Sequence, residues 1–141
     1  MNIGCHLIIE CQGRHAHLNE HGLERLLVSA AEAGGASVLQ AHFHPFGAGK
    51  GITGVVLLAE SHITVHTWPE HDYAAFDIFM CGDCKPLQAA ELITAACPDA
   101  VTSVRSIDRG LPFNVGDAAA NPPVACAYSD TTFGVRVKQN S

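Results

Sequence analysis

The sequence predicts an α+β fold, a two-layer sandwich in which two helices cover one face of an antiparallel sheet. Two observations carry this: apolar runs of strand length recur between Gly- and Pro-rich breaks, and two stretches place apolar residues at helical spacing. Ile3 to Glu10 reads as the first strand. Leu23, Leu26, Leu27, Ala30 and Ala31 then line one face of a helix, which Gly34 and Gly35 end. Ser37 to His44 and Ile52 to Leu58 are strand-like and joined by the loop from Pro45 to Gly51, which lacks the Asn-Gly or Asp-Gly pair of a tight hairpin and is expected to be long and mobile. His62 to Thr67 and Tyr73 to Phe79 form the next two strands around Pro69. Pro86 opens a second helix with an apolar face of Ala89, Leu92, Ile93, Ala96 and Cys97, and Pro98 stops it. Val101 to Ile107 is a further strand, Asp108 to Asp130 a loop, and Val135 to Lys138 an edge strand. The helical stripes are read as core, with no cofactor role.

A chain of 141 residues is expected to form one domain that buries about two thirds of its unfolded surface. Eight basic against fourteen acidic residues give a formal charge of -6, which argues against a surface that tracks phosphates, so no nucleic-acid partner is expected. The N-terminal stretch has no basic segment followed by a long apolar core, and no later run approaches the roughly 20 residues that span a bilayer. The expectation is a cytoplasmic protein without membrane insertion. The six cysteines are then read as reduced thiols rather than a disulfide framework.

The most informative stretch is AESHITVHTWPEHDYAAFDIFMCG, residues 59–82, which gathers Ser61, His66 and Cys81. A serine hydroxyl can attack the carbonyl of the peptide bond before it, here Glu60-Ser61, and turn an amide into an ester if a base is near. Proton removal from the serine Cα eliminates that ester to dehydroalanine, whose imine form hydrolyses to a ketone and ammonia. His66 is the base the sequence offers. Strand parity complicates this, because His62, Thr64 and His66 share one face while Ser61 falls on the other, so Ser61 must lie at a turn or irregularity.

These residues resemble the signature of the short prokaryotic S-adenosylmethionine decarboxylase proenzymes, along TGVVLLAESHITVHTWPEHDYAAFDIFMCGD and more thinly through GCHLIIE, AHFHPFG and VRVKQ. The resemblance implies autocatalytic cleavage into a β chain, 1–60, and an α chain, 61–141, with Ser61 becoming a covalent pyruvoyl group. That ketone would form a Schiff base with the amine of S-adenosylmethionine and accept electrons as carbon dioxide leaves, yielding the aminopropyl donor for spermidine. It further implies that Cys81 returns the proton, that Thr53 stands where many members carry a serine assisting processing, and that Phe46 stacks on adenine while Glu70 accepts ribose hydroxyls. It also implies a homodimer whose sites draw on both protomers. Phe46 read without the family is a loop anchor, and Trp68 is structural. The chain departs from the family pattern at Asp72 and Met80, where glycine and threonine are common, in one extra residue around Gly47 to Gly51, and in an insertion from Leu111 to Thr132.

Two other readings stand beside this one. The same cofactor chemistry would serve ornithine or arginine. From a different class, Cys81 and Cys84 form a CxxC between an apolar strand and a helical pattern, as in redox sites. Nine histidines, including the pairs His15 and His17, His42 and His44, and His62 and His66, leave metal binding open in principle. Without a second CxxC or an HExxH, no metal is expected.

Overall fold

The computed structural model describes residues 3–110 and the backbone of residues 133–136. Strands β1 (Gly4–Gln12), β2 (Val38–Pro45), β3 (Ile52–Leu58), β4 (Ser61–Trp68), β5 (Tyr73–Cys81), β6 (Val101–Arg109) and β7 (Phe133–Arg136) form one sheet in the order β2-β3-β4-β5-β1-β6-β7. Every neighbouring pair among these described strands is antiparallel. Helices α1 (Glu20–Ala33) and α2 (Pro86–Ala95) pack together on one face, and 3-10 turns lie at Arg14–His17, before α1, and at Pro69–His71, between β4 and β5. The α+β sandwich expected from the periodicities is the observed one.

Alternation along the strands divides the two faces. Leu7, Ile9, Ile63, Val65 and Ile78 point into the core beneath the helices, where Leu23, Leu27 and Ile93 meet them without solvent exposure. His6, Ile8, Thr53, His62, Thr64, His66, Asp77 and Phe79 belong to the other parity, and no described helix covers that face.

Helix α1 is bounded as its sequence requires. Asn19 caps it by accepting from the Gly22 N–H at 2.8 Å, and Glu20 lies in the positive first turn. At the other end Ala36 N–H bonds Ala31 O and Gly35 N–H bonds Glu32 O, a Schellman arrangement with Gly35 at φ 77°. Helix α2 differs from its expected face: it ends at Ala95, buries Ala90 and Thr94 beside Ala89 and Ile93, and leaves Ala96 exposed. The small side chains of Ala89, Ala90 and Thr94 are buried where α2 packs against α1, β1 and β5.

Strand β6 extends through Arg109, because pairing with β1 runs to Gly4 opposite Arg109 and satisfies backbone groups that a loop would leave open. Asp108 and Arg109 are therefore strand, not loop. The edge strand is described at Phe133–Arg136, which includes Val135 and Arg136 of the expected Val135 to Lys138. Residues 111–132, with the expected insertion and Cys126, lie outside the described residues, as do Val137 and Lys138.

The two other departures from the family pattern have local reasons. Asp72 adopts φ 53°, which glycine would occupy freely, and an aspartate tolerates it; its Oδ1 also lies 2.7 Å from His17 Nε2. Met80 is buried and its thioether lies against Gly34, filling space between sheet and α1.

Gly54 pairs directly with Phe43, whose ring folds over it: a Cβ built at Gly54 would lie 2.2 Å from Phe43 Cδ1. Gly54→Ala is expected to displace that buried ring and lower unfolding free energy by about 1 to 3 kcal/mol, measured by denaturant titration.

Candidate active site

The hairpin joining β3 to β4 has only Ala59 and Glu60 between the paired residues Leu58 and Ser61. Two-residue connections favour turns with positive φ inside the loop, which Gly and Asn supply. Here neither loop residue takes that conformation; Ser61 takes it instead, at φ 139°. A non-glycine residue held there costs about 1 to 3 kcal/mol, so backbone strain sits on the residue that follows the Glu60-Ser61 bond. This is the irregularity that strand parity called for.

The carbonyl of Glu60 is held by two donors from one residue, since Cys81 N–H and Cys81 Sγ each lie 3.2 Å from Glu60 O. Such a pair can stabilise negative charge growing on that oxygen. The Glu60 side chain is anchored separately by the Ser37 N–H, 2.9 Å from Oε2, and Ala59 N–H bonds Ser37 O. The turn is thus fixed from both sides before any chemistry begins.

Ser61 Oγ lies 3.1 Å from His62 Nδ1. Adjacent strand residues normally point to opposite faces, and the altered φ of Ser61 allows this contact. His62 Nε2 in turn lies 3.0 Å from Asp77 Oδ2, and His6 Nε2 approaches the same oxygen at 2.6 Å. Thr64 donates to Asp77 Oδ1. Arg109 lies 3.0 Å from His6 Nδ1 and over the Phe79 ring. Burial alone would raise the carboxyl pKa of Asp77, but hydrogen bonds from His6, Thr64 and His62, with the charge of His62, outweigh it and lower the pKa to about 2. His6, His62 and Asp77 place donor atoms within 4.8 Å of one another, a set that could also hold a metal ion.

His66 belongs to a second cluster. It is directly opposite Thr53 on β3, with Thr53 Oγ1 2.8 Å from His66 Nδ1, and its ring is 5.9 Å from Trp68. Five residues of strand separate it from Ser61, about 17 Å, so within one chain the expected contact between His66 and Ser61 is not made. Phe46 is exposed in the β2–β3 loop, 4.9 Å from His44, and Glu70 is exposed in the turn after β4. Trp68 stacks on Tyr73, whose hydroxyl donates to Glu10. Ser61, Glu60 and Cys81 are brought together; Thr53 and His66 are brought together elsewhere.

Sequence reasoning missed His6, Ser37 and Asp77, and considered His62 only as one of a histidine pair. The available signal was Asp77 itself, the single charge in the run Ala74 to Phe79 of an otherwise apolar strand. The CxxC reading loses support, because burial first, then the charges of Glu60, Cys81 and Asp83, push the Cys84 thiol up, opposite to the lowered pKa of a redox dithiol. His15, one of the histidines considered for metal, is buried with Nε2 2.7 Å from Ile93 O, and burial lowers its pKa.

The sequence matches the S-adenosylmethionine decarboxylase family over residues 5–110. A protein from Thermodesulfovibrio yellowstonii named S-adenosylmethionine decarboxylase proenzyme is 39% identical over 112 residues, 77% of this chain and 82% of that one. A proenzyme of the same name from Prochlorococcus marinus is 39% identical over 123 residues, 85% of this chain and 98% of its own. The crystal structure of the adenosylmethionine decarboxylase from Aquifex aeolicus superposes with a TM-score of 0.70 at 30% identity, covering 80% of this chain and 95% of that one. The chain belongs to the S-adenosylmethionine decarboxylase family.

Asp77 has its pKa depressed from the ordinary 3.8 to about 2. The stability this contributes, about 2 kcal/mol at most, is therefore present above 3.8 and lost as pH falls through about 2. Asp77→Asn should lower the melting temperature at neutral pH and flatten its fall between about pH 4 and pH 2, as followed by circular dichroism.

Proposed function

We propose that this protein decarboxylates S-adenosylmethionine, after cleaving its own chain between Glu60 and Ser61 and converting Ser61 to a pyruvoyl group. The observation that carries the reading is the turn at Ser61: a strained serine behind a carbonyl held by two donors of Cys81. The residues present fit such a group, since the hydroxyl, the acyl carbon and the oxygen-binding donors all belong to one short hairpin and the strand beside it. The ketone, once formed, supplies the electron sink for loss of carbon dioxide.

In this reading Cys81 has two successive duties. Before cleavage it binds the Glu60 oxygen; during turnover its thiol, beside residue 61, returns a proton to the substrate carbon. Thr53 orients His66 through its Nδ1. For His66 to act at Ser61 it must come from a second copy. We infer a symmetric homodimer in which the uncovered sheet faces meet with the two β4 strands antiparallel, so that the Ser61 end of one lies over the His66 end of its partner. Support comes from the composition of that face, where Leu57, Trp68 and Ile107 remain substantially exposed beside Ile8 and Val55. Phe46 and Glu70, at the His66 end, then serve the adenosine. No helix among the described residues is long and apolar enough to cross a membrane.

Intact mass spectrometry of the purified protein should resolve a chain ending at Glu60 and one beginning at residue 61 without a free amine. Ser61→Ala should remain uncut and inactive, and a serine N-terminus at 61 in the native protein would sink the pyruvoyl assignment.

The dimer is tested by co-expressing Ser61→Ala with His66→Ala. Each variant alone should be inactive, while the mixed dimer should regain up to about half of the activity per site pair. No recovery in verified mixed dimers would place His66 outside the partner's site.

A further inference from the structure

We infer that His62, not His66, is the base that takes the hydroxyl proton of Ser61 in the first step of self-cleavage, and that Asp77 is the residue that positions it. This rests on the self-cleavage proposed above and assigns a step within it.

The hydrogen bonds of the open face fix one another. Arg109 has only donors, so its contact with His6 Nδ1 at 3.0 Å makes that nitrogen an acceptor and puts the His6 proton on Nε2, pointing at Asp77. Asp77 is ionised and accepts on Oδ2 from both His6 and His62, at 2.6 and 3.0 Å. The proton-accepting form of His62 is therefore held as the Nε2–H tautomer. Its Nδ1 is left with a free lone pair, and the group facing that lone pair is Ser61 Oγ at 3.1 Å. A serine, a histidine and an aspartate are thus arranged in sequence with the middle tautomer set by the last, the logic of an activated serine nucleophile. His66 cannot take this part within the chain, being about 17 Å along the strand and bonded to Thr53.

The step balances internally. The Ser61 hydroxyl proton passes to His62 Nδ1 as Oγ bonds the carbonyl carbon of Glu60. Charge on the Glu60 oxygen is met by Cys81 N–H and S–H, each at 3.2 Å. The Glu60-Ser61 C–N bond then breaks as His62 returns the proton to the departing nitrogen. The product is an ester with a free amine, and no proton or electron is gained or lost. Removal of the Cα proton belongs to the later step, for which a partner's His66 is available.

The test follows freshly translated or refolded proenzyme by gel and mass spectrometry, with and without hydroxylamine, which cuts esters but not amides. His62→Ala is expected to slow cleavage about 100-fold or more and to yield no hydroxylamine-sensitive ester. His62→Gln, which keeps size and a polar tip, carries the same expectation should the alanine variant fold poorly. Asp77→Asn, which can turn the ring to the other tautomer, should also slow ester formation, whereas His66→Ala should accumulate ester. A chelator should leave the wild-type rate unchanged. Wild-type rates in folded His62→Gln, ester accumulating in His62→Ala, or cleavage that depends on added zinc would each overturn the assignment. A wild-type chain that never cuts at Ser61 would instead remove the functional reading beneath it.

Discussion

Strand β4 is hydrogen-bonded along both edges, to β3 and to β5, and its register against them sets the contacts of Ser61, His62, Thr64 and His66. That register puts Thr53 opposite His66, Thr64 opposite Asp77 and Leu58 opposite Ser61. A slip by one residue would carry His62, Thr64 and His66 into the apolar core and bring Ile63 and Val65 to the open face. Burial of Ile63 and Val65 beneath the helices therefore holds the polar residues in place as firmly as their own hydrogen bonds do.

The open face is where local rules yield to function. A charged carboxylate sits in the middle of an otherwise apolar strand, and it is kept ionised because three side chains donate to it. The strain at Ser61 is of the same kind: a two-residue turn without glycine moves the awkward conformation onto the next residue, whose hydroxyl is the one proposed to attack Glu60. The strain at Ser61 costs stability that the packed side of the sheet supplies through Leu7, Ile9, Ile63 and Ile78.

The layers of the fold were legible because periodicity is a direct record of burial: Leu23, Leu26, Leu27, Ala30 and Ala31 all lie in the core as their spacing required. Helix α2 was read less well, since alanines on several sides leave the apolar direction poorly defined. For the site, parity put Ser61 and His66 on different faces and so called for an irregularity, which is the positive φ that lets Ser61 meet His62. What the linear pattern could not convey was the cross-strand partners of His62: Asp77 and His6 are 15 and 56 residues from it in sequence and beside it only in the sheet.

The strand order has a consequence for a chain cut after Glu60. β1, β2, β3 and α1 would fall to one fragment, while β4 to β7 and α2 fall to the other, yet in the sheet β1 lies between β5 and β6. The fragments are interdigitated: parting them means tearing the β3–β4, β5–β1 and β1–β6 ladders together. The nick is therefore mechanically silent in the folded state. Once unfolded, however, the two pieces diffuse apart and must find each other again, so regain of structure changes from a first-order event to a concentration-dependent encounter. Maturation would convert a protein that can refold into one whose persistence depends on never unfolding.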